Sequence, residues 1–195
     1  ASRQETAPVT DLIAQKLKSN IFYCRLKGHG RDAEAIKDVT VNDWINDAYE
    51  AYEIGKRIGD KIIIIAVSTG VPLALWLSSK FDHIIAVIMM SPNFQPADKL
   101  SNLILWPWGK IIIKLFLGKY MEWDVVNELH KKYWTTKYRS EALLPMMGIC
   151  KFGRNLQLDK ITLPILCLYT ERDKIVSIPA IKEIFERLGS SKKKI

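Results

Sequence analysis

The sequence predicts an α/β fold: a mostly parallel sheet with helices on both faces and a helical insertion in its second half. Three observations predict it. Apolar, β-branched runs of strand length alternate with amphipathic runs of helical spacing. The strongest strand run carries four consecutive isoleucines ending at Ile65, too short and too β-branched for a helix, and reads as a fully buried strand. The alternation stops near residue 94 and resumes near residue 161, which splits the chain into a sheet core over 1–93 and 161–195 and a helical lid or cap over 94–160.

Taken in order, residues 8–18 place Val9, Leu12, Ile13 and Leu17 on one helical stripe. Residues 20–26 alternate like a strand, and Gly28 and Gly30 break it. Asn42 and Asp43 are placed to cap a long helix in which Trp44, Ile45, Ala48, Ala51, Tyr52 and Ile58 share a face, and Gly59 ends it. The isoleucine strand follows, then a helix with Pro72 in its first turn. Residues 83–90 form another apolar strand, closed by Ser91, Pro92 and Asn93. Residues 94–160 read as helical, rich in Trp and Met, with no strand. Residues 163–170 restore the strand pattern. Ser177 and Pro179 then open a last helix bearing Ile181, Ile184, Phe185 and Leu188, with Gly189 at its end.

Composition narrows the function classes. The 195 residues are 48% hydrophobic and 26% charged, which fits one globular domain with a sizeable core. The net charge is +8, but the lysines are scattered and the one dense run, Lys192 to Lys194, lies at the end of the sequence. No stacking-aromatic motif accompanies them, so the charge reads as a solvated surface and nucleic acid is not an expected partner. Cys24, Cys150 and Cys167 are odd in number and have neither metal-ligand nor disulfide-framework spacing. They point to a reducing, cytoplasmic compartment, with Cys24 and Cys167 as buried small residues within strands. Neither a metal nor another cofactor is expected.

Ser68 carries the chemistry. It stands between the isoleucine strand and the Pro72 helix, the geometry of a nucleophile elbow. Such a corner pushes the hydroxyl out over the sheet edge, where backbone N–H groups at the helix start can hold an oxyanion. The pentapeptide Ala66-Val67-Ser68-Thr69-Gly70 differs from G-x-S-x-G by one methyl group, and small residues are needed at both ends because strand and helix cross closely there. An ordinary strand–helix turn is the competing reading of the pentapeptide by itself.

Four motifs in order resemble the α/β-hydrolase superfamily, in its carboxylesterase and monoacylglycerol-lipase-like branch. They are Leu26-Lys27-Gly28-His29-Gly30, Asp43-Trp44, Ser68-Thr69-Gly70 and an acid loop from Glu171 to Ser177. The resemblance covers nearly the whole chain, the lid least specifically. It implies that Ser68 is the nucleophile, that the Thr69 backbone N–H is an oxyanion donor, and that Asp173 is the acid orienting a histidine. It also implies that His29 is structural. His83 and His130 both precede Asp173, whereas the family's order is Ser, Asp, His. The resemblance therefore implies an internal piece of a longer protein, with the triad histidine, the second oxyanion donor and a strand of the sheet outside it.

The run from Leu103 to Leu117 is the most apolar stretch, but Pro107, Lys110 and Lys114 interrupt it too often for a membrane span. Packing of the lid and lining of an acyl pocket are the expectations for it, with weak lipid-surface contact through the lid as a further one. Trp106, Trp108, Met146 and Met147 are the expected substrate-binding residues, the methionines offering adaptable apolar surface. A small-molecule ester with an apolar acyl group, monoacylglycerol-like, is the expected substrate. A non-catalytic lipid- or partner-binding relative and an acyltransferase stay open beside the ester hydrolase. The sequence leaves the oligomeric state undetermined.

Overall fold

The computed structural model describes residues 3–195, without the side chains of Lys99, Leu100 and Lys110. In chain order its principal elements are α1 (Val9–Leu17), α2 (Val41–Ile58), β1 (Ile62–Val67), α3 (Gly70–Ser78), β2 (Ile84–Met90), α4 (Gly109–Ile112), β3 (Tyr120–Glu122), α5 (Glu128–Tyr133), β4 (Lys137–Arg139), α6 (Leu143–Arg154), β5 (Ile165–Leu168), α7 (Ile178–Arg187) and β6 (Lys193–Lys194). The chain divides into two compact units, one of residues 1–54 and 103–145, the other of residues 55–102 and 146–195.

The second unit holds the sheet. Its strands run in the order β1-β2-β5-β6, and every pair is parallel. The β1–β2 register pairs Val67 with Met90, and the β2–β5 register pairs Met90 with Leu168. Three strands therefore end level at one edge. Val71, Leu75, Val87, Met89, Phe94, Met147, Ile149, Ile181 and Ile184 are fully buried around the sheet. At about 1.5–3 kcal/mol for each such side chain, this core is the main source of stability. Ser177 caps α7 by accepting from the Ala180 N–H at 3.4 Å. The Lys193 ammonium donates to the Phe185, Glu186 and Leu188 carbonyls at 2.8–2.9 Å, so one member of the terminal basic run caps the other end of α7.

The isoleucine strand departs from the fully buried expectation. Ile63 on β1 is 40% exposed, because β1 is the last strand of the ladder on its side.

In the first unit several expectations need correction. Residues 20–26 form no strand: a strand needs a ladder partner, and side chains anchor this segment instead. The Tyr23 hydroxyl pairs with Thr10 Oγ1 at 2.5 Å and donates to Asp11 at 2.6 Å, while Trp44 Nε1 donates to the Lys27 carbonyl at 3.0 Å. Cys24 is accordingly exposed, whereas Cys150 and Cys167 are buried, and all three thiols are free. On α1 the apolar stripe is turned outward; Thr10 and Ala14 are the buried residues, while Val9, Leu12 and Leu17 are exposed. The cap of α2 is Thr40, not Asn42 or Asp43. Thr40 Oγ1 accepts from the Asp43 N–H at 3.2 Å, and the Asp43 carboxylate accepts from the Thr40 N–H at 2.8 Å, a reciprocal capping box. A strand pair does occur within residues 94–160: β3 and β4 are antiparallel, with Met121 opposite Tyr138. Each is 3 residues long, too short to leave an alternating pattern.

Candidate active site

Ser68 occupies the corner between β1 and α3 with φ of +50°, a left-handed conformation that costs a residue with a Cβ. The corner is held on both sides. The Ser68 N–H donates to the Met90 carbonyl at 2.9 Å, and the Ser68 carbonyl accepts from Val71 N–H at 3.1 Å and Asn93 N–H at 3.2 Å. Thr69 precedes the first residue of α3, so its N–H belongs to the helix-start donors that have no acceptor within the helix. Ala66 is buried at the end of β1, and a Cβ added at Gly70 would meet nothing within 4 Å. The expected close crossing of strand and helix therefore does not require a small residue at position 70.

The neighbouring strand ends in a second strained serine. Ser91 has φ of +41°, its N–H donates to the Leu168 carbonyl at 2.7 Å, and Pro92 and Asn93 fold back over the Ser68 corner. Asn93 is only 4% exposed. Its Nδ2 donates to Thr69 Oγ1 at 3.4 Å, and its Oδ1 has no partner. In the sequence this segment reads only as a strand end. An amide in a tight loop leaves no periodic signal.

Asp173 lies in the turn after β5, at the same edge as Ser68. Its Oδ1 accepts from Ile175 N–H at 2.8 Å and Val176 N–H at 3.1 Å, which fixes the carboxylate in its loop. That loop is pinned by the segment after β2: Pro96 bridges Val176, Ala97 N–H donates to the Ile175 carbonyl at 2.9 Å, and Ser177 N–H to the Gln95 carbonyl at 2.8 Å. Because β2 lies between β1 and β5, the Ser68 and Asp173 loops leave strands two spacings, about 10 Å, apart.

Within the second unit the histidine is His83, and it does not lie between the Ser68 and Asp173 loops. His83 accepts from the Ile62 N–H at 2.8 Å, at the opposite ends of the strands from Ser68, about 20 Å away along the sheet. His29 and His130 belong to the other unit. The His29 ring lies 5.3 Å from Trp44, and burial pushes its pKa down to about 4. His130 Nδ1 accepts from the Val126 N–H at 3.3 Å, and its ring lies 5.4 Å from Trp134.

The four residues expected at the substrate fall into two groups. Trp106 and Trp108, in the first unit, are exposed, Trp108 by 66%. Met146 is half-buried and Met147 fully buried on α6, within the second unit. Among the described residues, no group of three or more His, Cys, Asp or Glu side chains is placed to hold a metal ion. No helix among them is long and apolar enough to cross a membrane.

A parallel sheet with a serine on the strand–helix corner and a pinned acid loop at the same edge is the arrangement of the α/β-hydrolase fold. The chain belongs to the hydrolase family described as serine aminopeptidase, S33, whose profile matches residues 9–195. It is similar to the thermostable monoacylglycerol lipase of Bacillus sp. (strain H-257), with 24% identity over 171 residues that are 88% of this chain and 66% of the lipase. The chain thus spans just under two thirds of that relative's length. A solved structure from work on LipS and LipT, two metagenome-derived lipolytic enzymes, shares the fold with a TM-score of 0.73 at 18% identity, covering 87% of this chain and 68% of that one. The monoacylglycerol lipase of Paleococcus ferrophilus aligns with a TM-score of 0.60 at 16% identity, over 86% of this chain and 68% of its own. A soluble variant of monoglyceride lipase from Saccharomyces cerevisiae, solved with a substrate analogue, aligns with a TM-score of 0.61 at 12% identity, over 86% and 64%.

Proposed function

We propose that this chain carries the nucleophile and acid of a serine hydrolase that cleaves carboxylic esters with apolar acyl groups, monoacylglycerols among them, through an acyl-enzyme. The observation that carries the reading is the left-handed backbone at Ser68, held by Met90 and Asn93 at the start of α3. A serine held in this strained conformation on the corner between a strand and the helix that follows it has the form of a nucleophile elbow, which Ser91, followed by no helix, does not share. Membership of the S33 hydrolase family and similarity to monoacylglycerol lipases supply the ester class.

In this mechanism a histidine outside the three present here takes the Ser68 proton, and Ser68 Oγ attacks the ester carbonyl. The new oxyanion is held by the Thr69 N–H and a second donor. The intermediate collapses, the histidine returns the proton to the departing alcohol, and the acyl group stays on Ser68. Water, deprotonated by the same histidine, then releases the carboxylic acid and restores the serine. Asp173 orients and stabilises the imidazolium; one of its oxygens is fixed by Ile175 and Val176, which leaves the other for that bond.

Within the second unit we assign the half-buried Met146 to the acyl group, with Met147 as its buried support; within the first, the exposed Trp106 and Trp108 are the residues we assign to substrate contact. Residues 94–160 are the segment we assign as the lid. The exposure of Trp108 (66%) and of Phe116 (79%) suits weak contact with a lipid surface, tryptophan at the interface. Three free thiols suit a cytoplasmic setting. The test is kinetic: Ser68→Ala in the full-length protein lowers kcat by about 10^4-fold or more. A loss below about tenfold removes Ser68 from the nucleophile role. Supplying an alcohol acceptor beside water separates hydrolysis from acyl transfer.

A further inference from the structure

We infer that Asn93 is a positioning residue for the Ser68 nucleophile, its side-chain amide fixing the Thr69 side chain beside the corner while its backbone N–H fixes the corner itself. The inference rests on the reading of Ser68 above. Two bonds from one residue bracket the elbow: Asn93 N–H to the Ser68 carbonyl at 3.2 Å, and Asn93 Nδ2 to Thr69 Oγ1 at 3.4 Å.

Asn93 is in turn held from behind. Cys150 Sγ donates to the Asn93 carbonyl at 3.3 Å, Arg154 Nη1 donates to the Phe94 carbonyl at 2.7 Å, and Arg187 Nη2 donates to the Arg154 carbonyl at 3.0 Å. The segment thus has anchors on α6 and, through Arg154, on α7. Its entry is strained as well, since Ser91 takes φ of +41° to turn the chain back toward Ser68.

The amide is poorly explained by stability. Asn93 is 4% exposed and its Oδ1 meets no donor, and a buried acceptor without a partner costs free energy. An apolar residue of the same size would fill the space without that cost. What the apolar residue would lose is the hold on Thr69, whose own N–H is the proposed oxyanion donor. A small loss of alignment there is costly to an acyl transfer, because a misplacement of about 1 Å can cost on the order of 10²-fold in rate.

The experiment compares Asn93→Leu, Thr69→Val and the double variant with the unsubstituted full-length protein. Three quantities are read: Tm, the rate of Ser68 labelling by a fluorophosphonate, and amide hydrogen exchange over the peptide containing residues 68–71. Asn93→Leu keeps the backbone bond to Ser68, so the corner still forms. The expected result is a Tm within about 2 °C of the unsubstituted protein or above it, labelling slowed roughly 10- to 100-fold, and faster exchange over 68–71. Thr69→Val, which removes the partner hydroxyl, gives the same slowing, and the double variant is no slower than either single one. Labelling and exchange unchanged in Asn93→Leu overturn the inference, whichever way Tm moves. If Ser68 of the unsubstituted protein does not label, the nucleophile reading fails, and exchange over 68–71 alone decides whether Asn93 holds the corner.

Discussion

Gly153 and Pro72 touch with no room for a side chain between them: a Cβ at Gly153 would lie 2.7 Å from Pro72 Cβ and 3.4 Å from Phe94 Cδ1. Helix α6 therefore rests directly on the first turn of α3, the turn that begins at the Ser68 corner. Gly153→Ala forces α6 and α3 apart. The overpacking costs about 1–3 kcal/mol, against at most about 1 kcal/mol gained in helix propensity. A thermal melt is expected to show a Tm lowered by several degrees; an unchanged or raised Tm contradicts the close approach.

Ser68 supplies the reverse case, a position where losing the Cβ stabilises. With φ of +50° it sits where glycine is at ease and serine is not. Ser68→Gly is expected to be more stable than Ser68→Ala by about 1 kcal/mol, or about 2–4 °C in Tm for a chain of this size. Equal melting temperatures for the two variants contradict a strained corner.

Asp173→Asn keeps an acceptor for Ile175 and Val176 N–H but removes the charge. The expected outcome in the full-length protein is a kcat lower by about 10³- to 10⁴-fold with Tm little changed. Full activity in Asp173→Asn takes the acid role away from this residue.

His29 gives a prediction in pH. Burial against Trp44 holds its pKa at about 4, below the ordinary 6.5, so the folded protein favours the neutral ring. Its contribution to stability is full above about pH 6.5, is lost as pH falls toward about 4, and loses nothing further once both states are protonated. His29→Gln has no such proton to take up. Its melting temperature should therefore fall less steeply than that of the unsubstituted protein between pH 6.5 and 4. Parallel curves contradict a half-buried His29 kept neutral.

The parts of the fold that could be read from the sequence are those whose local pattern and tertiary role agree. The β1–Ser68–α3 corner, the apolar strands β2 and β5 and the Ser177-capped α7 each announce themselves within one window of residues. Residues 20–26 mislead because alternation is necessary for a strand but not sufficient; the segment is anchored by side-chain bonds of Tyr23 to Thr10 and Asp11 and not by a ladder. On α1 the stripe was legible but its burial was not, since periodicity says which residues share a face and not what covers it. The Thr40–Asp43 capping box was within reach of the sequence, being a T-x-x-D pattern two residues before the expected cap. Asn93 was not. Its importance comes from where the loop after β2 folds, a distance of 25 residues along the chain from Ser68 (93 − 68).

The most direct measurement is fluorophosphonate labelling of the purified full-length protein, read by intact mass and a peptide map. One adduct is expected, on Ser68 within the peptide that joins β1 to α3, and it should disappear in Ser68→Ala. A folded protein that takes no adduct, or takes it on another serine such as Ser91, contradicts the assignment of Ser68 as the nucleophile.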